Sequence, residues 1–343
     1  MKFVLFCQNP YAFGIMEPIM KVLKEKGHDY LWFLTDNLKN KFPYPEEPST
    51  NSIEELKGFQ SDVIFCPGNE VPHFLRGLKV QIFHGLAGEK KGHFRIRHYF
   101  DLYLTQGPYF TRRFNELKAK HKDFEVIETG WPKLDIYGKD QDKYSEEKRS
   151  LLKKHTAEKI ILYAPTFSPS LTSAPFLGEE IKRLALNKNF LVIIKFHDLM
   201  DPEVIKNYKA LASYNNNLIV EEEPNNIKVL LMADLMVSDT SSVVYEFLLL
   251  DKPVITFNSS AENILWENSQ TYDKLSEKVA ANLDLDPFAE LRSRIIQEYH
   301  PYNDGNSAVR MVEAAENYIT RHGVPEKRKL PFLRKLKMKR MFK

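Results

Sequence analysis

At 343 residues, with 43% hydrophobic and 28% charged residues, the chain is long enough for two cores of about 150 residues each and lacks the composition of a disordered, collagen-like or coiled-coil protein. Its net charge of +3 conceals an asymmetry: residues 327–343 carry nine Lys or Arg and no acid, which leaves the preceding residues at −6. Only two cysteines occur, Cys7 and Cys66, too few for a disulfide framework or a Cys-rich metal site. No run approaches the roughly 20 apolar residues of a membrane-spanning helix, and the first apolar run stops at strand length, short of a signal peptide. A reduced cytosolic chain with at most peripheral membrane contact is expected.

Apolar runs of strand length alternate with helical patterns from the start: "KFVLFC" (2–7), a helix over 15–26, "YLWFL" (30–34), a helix near 53–59, "DVIFC" (62–66) and "KVQIFHG" (79–85). "DLYLTQ" (101–106) and "FEVIETGWPKLD" (124–135) follow, and the polar stretch 136–155 reads as a linker with an exposed helix. The alternation then restarts with "KIILYAPTF" (159–167), a helix over 178–187, "FLVIIKFHD" (190–198), a helix near 203–213 and "NLIVEEE" (217–223). A helix near 226–232, "LMVSD" (235–239), a helix over 241–250 and "PVITF" (253–257) complete it. Near-continuous apolar strands separated by helices predict parallel sheets covered on both faces. Two such series predict two doubly wound α/β domains facing across a cleft, over 1–145 and 146–322, followed by a basic amphipathic tail at 323–343.

In sheets of this kind ligands bind outside the carboxyl ends of the strands, so polar residues just past a strand carry the most weight. In "SDTSSVVYEFLLL", Asp239, Thr240, Ser241 and Ser242 precede an amphipathic helix; a helix start with free N–H groups and hydroxyls suits the diphosphate of an activated donor, and it equally suits an ordinary N-cap. His84 ends one strand and Gly85 begins the Gly-rich "GLAGEKKG". An imidazole there can take a proton from an acceptor hydroxyl, with Lys90 and Lys91 neutralising phosphates, or simply close a loop. Lys195 and His197 share one face of an extended segment and can stabilise a transferring phosphoryl group, or else are a surface charge and a loop residue bonded to Asp198. Thr166 and Ser168 stand in a Pro-stiffened loop that can line an anion or be a plain connection, and Arg310 offers a planar fork for phosphate or is an exposed helix charge. No P-loop, HExxH or GxSxG pattern occurs, and neither a protein-bound metal nor a cofactor is expected.

With these pieces in order ("FHG", "TGWPKLD", "YAPTF", "KFHD", "SDTSSVVYEFLLLDKPVITF" and "YNDGNSAVR") the chain resembles the CDP-glycerol glycerophosphotransferases, the family of teichoic-acid primases and polymerases and their capsule-forming relatives. The resemblance runs over about residues 80 to 314. It implies a GT-B fold and transfer of a polyol phosphate from a CDP-activated donor to the hydroxyl of a saccharide or lipid-linked polymer, releasing CMP. By position it implies His84 as catalytic base and His197 as a second essential histidine facing the donor phosphates. Thr240, Ser241, Ser242 and Arg310 are then placed around the diphosphate and Thr166 in a donor-side loop. A GT-B glycosyltransferase or epimerase using a UDP-sugar is the alternative. In the tail, Phe332, Leu333, Leu336, Met341 and Phe342 interleave with basic residues, as in an interfacial helix on anionic lipid at the inner face of the cell membrane. Nucleic acid is not expected.

Overall fold

A computed structural model describes residues 1–86, 92–223 and 225–342. The chain forms two compact units, one of residues 1–139 together with 298–343, the other of residues 140–297.

The first unit is built on seven parallel strands: β1 (Lys2–Cys7), β2 (Asp29–Leu34), β3 (Ser49–Thr50), β4 (Val63–Cys66), β5 (Leu78–Gln81), β6 (Leu102–Thr105) and β7 (Glu125–Glu128). They lie in the order β3-β2-β1-β4-β5-β6-β7. β1 is central, with Phe3 opposite both Tyr30 of β2 and Val63 of β4. Such a strand is covered on both faces, so its apolar run needs no alternation; Phe3 through Cys7 are all fully buried. Cys7 and Cys66 are the expected core thiols, and burial pushes Cys66 up to about 12, which leaves it unreactive.

The second unit repeats the plan with β8 (Lys159–Tyr163), β9 (Phe190–Lys195), β10 (Leu218–Glu221), β11 (Leu235–Ser238), β12 (Val254–Phe257) and β13 (Glu267–Ser269), in the order β10-β9-β8-β11-β12-β13. In each unit the order reverses beside its first strand, between β1 and β4 and between β8 and β11. That reversal opens a crevice at the strand ends, the usual ligand position of doubly wound sheets.

Two expectations change. The strand expected over 79–85 ends at Gln81, and the chain leaves the sheet before His84. The expected boundaries at 145 and 322 also shift, because the helix Ser307–His322 belongs to the first unit. The Asp135 carboxylate accepts from the N–H groups of Ser307 and Ala308 at its start (2.8 and 2.9 Å). Along its length it buries Met311, Val312, Ala315 and Ile319. Lys26 and His28 meet Glu316 on the same helix. "TGWPKLD" is therefore the seat of this returning segment. Gly130 there has φ +84, where a side chain is strained, and a Cβ would lie 2.4 Å from the Ser307 hydroxyl, which would have to move aside.

The basic tail also departs from a freely exposed interfacial helix. Its helix Phe332–Met341 docks on the first unit: Met338 and Phe342 are buried with Val4, Phe6 and Phe33. Arg328, itself buried, donates to Asp101, to the carboxylate and carbonyl of Asp123 and to the His98 carbonyl. Phe332, Leu333, Leu336 and Met341 stay exposed. Among the described residues no helix is long and apolar enough to cross a membrane.

Candidate active site

In the second unit, the expected polar residues gather at the switch point between β8 and β11. Asp239, the first residue past β11, is wholly buried. Its Oδ1 accepts from Thr166 N–H, and its Oδ2 accepts from both the N–H and the hydroxyl of Ser173, all at 2.8 Å. Ser238 Oγ donates to the Ala164 carbonyl (2.6 Å). The two residues pin both ends of the 164–173 loop to β11. Asp239, expected at the donor, directs its buried carboxylate into this loop, where it accepts these three hydrogen bonds. Burial pushes this carboxyl up to about 6, against three hydrogen bonds that favour its charged form.

Thr240, Ser241 and Ser242 stand half-buried at the mouth of the same crevice. Thr240 Oγ1 accepts from the N–H of Ser260 (3.1 Å). Ser242 occupies the N-cap position of the helix Val243–Leu248 but makes no side-chain capping bond, so the hydroxyl run is not used up as a cap. That helix has six residues; its dipole is small, and any anion held here would rest mainly on hydroxyls and individual N–H groups. Thr166 and Ser168 are half-buried in the 164–173 loop, which brings them to the same edge of the sheet. Lys252, in the "DKP" part of the motif, instead donates to the Leu231 carbonyl (2.7 Å), closing the helix Ile227–Met232.

Lys195 ends β9 and makes no ion pair among the described residues. His197 follows, exposed, with its ring against Phe167 of the 164–173 loop (centroids 4.4 Å apart). His197 Nδ1 accepts from the Leu199 N–H (3.1 Å). An amide can only donate, so Nδ1 carries the lone pair and Nε2 carries the proton in the neutral ring.

In the first unit, His84 lies past β5 beside the other switch point. Phe83 before it has φ +60, a left-handed conformation that costs a bulky residue about 1–2 kcal/mol. Its ring is held among Tyr103, Phe114 and His93. That fixed ring lets the backbone turn sharply and present His84 outward. His84 Nδ1 lies 2.9 Å from the Pro67 carbonyl, which can only accept, so the proton sits on Nδ1 and the lone pair on Nε2. Tyr11, just past β1, stacks on the ring at 5.2 Å. The Gly85 carbonyl accepts from Gln106 (3.0 Å). Lys90 and Lys91 lie outside the described residues.

Arg310, also expected at the donor, is held within the first unit. It donates to the Thr129 carbonyl and Asp304 (both 2.7 Å) and, more weakly, to Ser307 (3.3 Å), and it stacks over Tyr302. The Arg310 hydrogen bond pulls the Asp304 carboxyl down to about 2. Tyr11, Ser173 and Ser260 were not singled out from the sequence; the "QNPY" turn directly after β1, at a switch point, was the available signal for the first.

Two doubly wound units, each with its strand order reversing beside its first strand, define the GT-B fold class. Within it, the chain belongs to the family of CDP-glycerol:poly(glycerophosphate) glycerophosphotransferases, which it matches over residues 84–317. It is 23% identical over 233 residues to the teichoic acid glycerol-phosphate primase of Bacillus subtilis (strain 168), covering 64% of this chain and 58% of that one. To the teichoic acid ribitol-phosphate polymerase TarL of Staphylococcus aureus (strain NCTC 8325 / PS 47) it is 27% identical over 259 residues, covering 66% and 43%. The chain thus spans about half the length of these relatives. Its fold is similar to that of a variant of the wall teichoic acid polymerase TagF, with a TM-score of 0.67 at 16% identity over 93% of this chain and 89% of that one.

Proposed function

We propose that this chain transfers glycerol phosphate, or a related polyol phosphate, from a CDP-activated polyol to an acceptor hydroxyl during assembly of a teichoic-acid-like or capsular cell-surface polymer. The observation that carries the reading is the pair of opposite histidine tautomers in a chain of this family. Nε2 of His84 accepts the proton of the acceptor hydroxyl as that oxygen bonds to the polyol-bearing phosphorus of the donor. The bond from that phosphorus to the bridging oxygen breaks, and CMP departs with the electron pair. Nε2–H of His197 donates to the phosphate oxygens on which charge builds. Thr166, Ser168, Thr240, Ser241 and Ser242 bind the diphosphate through hydroxyl and N–H groups, Lys195 supplies charge, and Asp239 keeps their loop in place. Arg310 acts by holding the turn at Thr129 and Gly130, with any donor contact made from there.

The acceptor is a saccharide or lipid-linked polymer. The exposed face of the tail helix, with Phe332 and Leu333 among basic residues, rests on an anionic membrane surface on the cytoplasmic side. The test is release of CMP from CDP-glycerol or CDP-ribitol, with anionic vesicles carrying lipid-linked saccharides as acceptor. Release abolished by His84→Ala supports the reading. UDP or GDP release from a sugar nucleotide, with none from either CDP-polyol, would replace it by the glycosyltransferase alternative.

A further inference from the structure

The turn after β1 carries an aromatic ring that neither the core nor the following helix requires. Tyr11 is 44% exposed, so it is not there to fill the interior. It occupies the N-cap position of the helix Ala12–Glu25 yet makes no side-chain capping bond, and it lacks the short side-chain oxygen that such a cap uses. Among the described residues its ring meets one other ring, the imidazole of His84, at 5.2 Å with the planes 28° apart.

Tyr11 is itself firmly placed. The N–H groups of Ala12 and Phe13 donate to the carbonyls of Asn9 and Pro10 (3.1 and 3.2 Å), Pro10 restricts the turn, and Asn9 Nδ2 donates to the Tyr11 hydroxyl (3.1 Å). The helix behind it buries Phe13, Ile15, Met16 and Ile19. Gln8 ties this turn to the loop after β4, since its side chain lies against Gly68, where a Cβ would come within 2.8 Å of Gln8 Oε1. The neighbouring Pro67 supplies the carbonyl that His84 Nδ1 meets. The imidazole therefore has a carbonyl at its edge and a phenol ring on its face, carried by two strand-end turns in contact with each other. The two neighbours act differently. A hydrogen bond at Nδ1 settles which nitrogen keeps the proton, but it sets the ring plane loosely, because χ2 of a histidine is a broad torsion. A flat aromatic neighbour sets that plane. When Nε2 takes the acceptor proton the ring becomes a cation, and the π face of a phenol at this distance favours that charge.

We propose that Tyr11 is a positioning residue for the base: its ring is the wall against which the His84 imidazole is held, with Nε2 aimed at the acceptor hydroxyl. This rests on the transferase reading above and deepens it, by assigning part of the acceptor-side machinery to the turn after β1. Tyr11 lies outside the segment shared with the family, whose first residue is His84.

The test follows CMP release by the full chain from CDP-glycerol, with vesicles carrying lipid-linked saccharides as acceptor, and thermal melts check that each variant folds. Tyr11→Leu should lower kcat by about ten- to a hundredfold, the scale for a misplaced catalytic group, and leave the KM for CDP-glycerol unchanged. Tyr11→Phe, which keeps the ring, should recover most of that loss. In the His84→Ala background, assayed at high enzyme concentration, Tyr11→Leu should cost nothing further, because a residue acting through another has no effect once that other is gone. An unchanged kcat in Tyr11→Leu overturns the proposal, and so does a loss in Tyr11→Phe as large as in Tyr11→Leu, or a loss that persists without His84. If the wild type releases no CMP from any CDP-polyol, the transferase reading fails, and NMR of the 15N-labelled histidine rings, with His84 assigned through His84→Ala, still decides the positioning role. The Nδ1–H form of His84 should be kept in Tyr11→Phe and mixed with the Nε2–H form in Tyr11→Leu; an intact Nδ1–H pattern in Tyr11→Leu overturns it.

Discussion

His84 and His197 stand in equivalent places, each just past the carboxyl end of a parallel strand, yet the backbone holds them in opposite protonation patterns. A carbonyl at Pro67 puts the proton of His84 on Nδ1, and an amide at Leu199 puts that of His197 on Nε2. The surroundings differ in the same sense. His84 is presented by a strained residue locked in an aromatic cluster, whereas His197 sits on an unstrained loop braced by Phe167. Residue type at a strand end is therefore a weak guide to role; the neighbouring backbone group decides whether an imidazole takes a proton or offers one.

The sharpest way to break this comparison is to remove each ring. His84→Ala should lower kcat by about a thousandfold, within the range for losing a general base, while the melting temperature stays within a few degrees. His197→Ala should cost about a hundredfold, as for loss of a single donor at developing charge. His197→Gln, which keeps an N–H, should recover part of that loss, whereas His84→Gln should recover none. Equal rescue at both positions would show that the two rings do the same job.

Stability effects come next. Asp239→Ala removes the acceptor of three donors, of which the Ser173 hydroxyl keeps Tyr163 as partner, and should destabilise the second unit by about 3 kcal/mol in urea unfolding. The carboxyl of Asp239 titrates near 6 in the folded chain against an ordinary 3.8, so between those values the native state holds a proton that the unfolded chain has released. Its contribution therefore weakens as pH rises from about 4 to about 6, by on the order of 2–3 kcal/mol. Asp239→Asn should flatten that part of the profile; an unchanged slope would mean that the three hydrogen bonds keep the group ionised. In the first unit, Arg328→Ala strands the buried Asp101 and should also cost about 3 kcal/mol. Smallest of all, Phe332→Asp with Leu333→Asp should shift stability by less than about 0.5 kcal/mol, yet reduce sedimentation with anionic vesicles. Undiminished sedimentation would remove the tail from membrane binding.

Much of this architecture was legible in the chain because buried parallel strands are apolar throughout, and such runs as "KFVLFC" and "FLVIIK" are hard to read otherwise. The hydroxyl run after β11 and the two histidines were visible for the same reason, being polar residues abutting an apolar run. The partner of each was not. Nothing local in "SDTSS" tells that Asp239 faces inward to Thr166 and Ser173 while its neighbours face the crevice. The partners of Arg310 were not legible either: they are the Thr129 carbonyl and Asp304, the first of them far away in sequence. In the tail, a pattern of apolar and basic residues is equally compatible with lipid and with a protein groove; Met338 and Phe342 face the core, while Phe332 and Leu333 do not.

Because residues 298–343 complete the first unit around an uninterrupted second one, the order in which the chain leaves the ribosome differs from the order in which its parts can finish folding. Residues 140–297 are fully available while the earlier segment still lacks the helix that Asp135 caps and the arginine that neutralises Asp101. The first-made sheet is therefore the last to be closed, and it spends the longest time with apolar surface open to misassembly. Chain termination just before residue 298 would harm the histidine at residue 84 before the one at residue 197, although the latter lies much closer to the break.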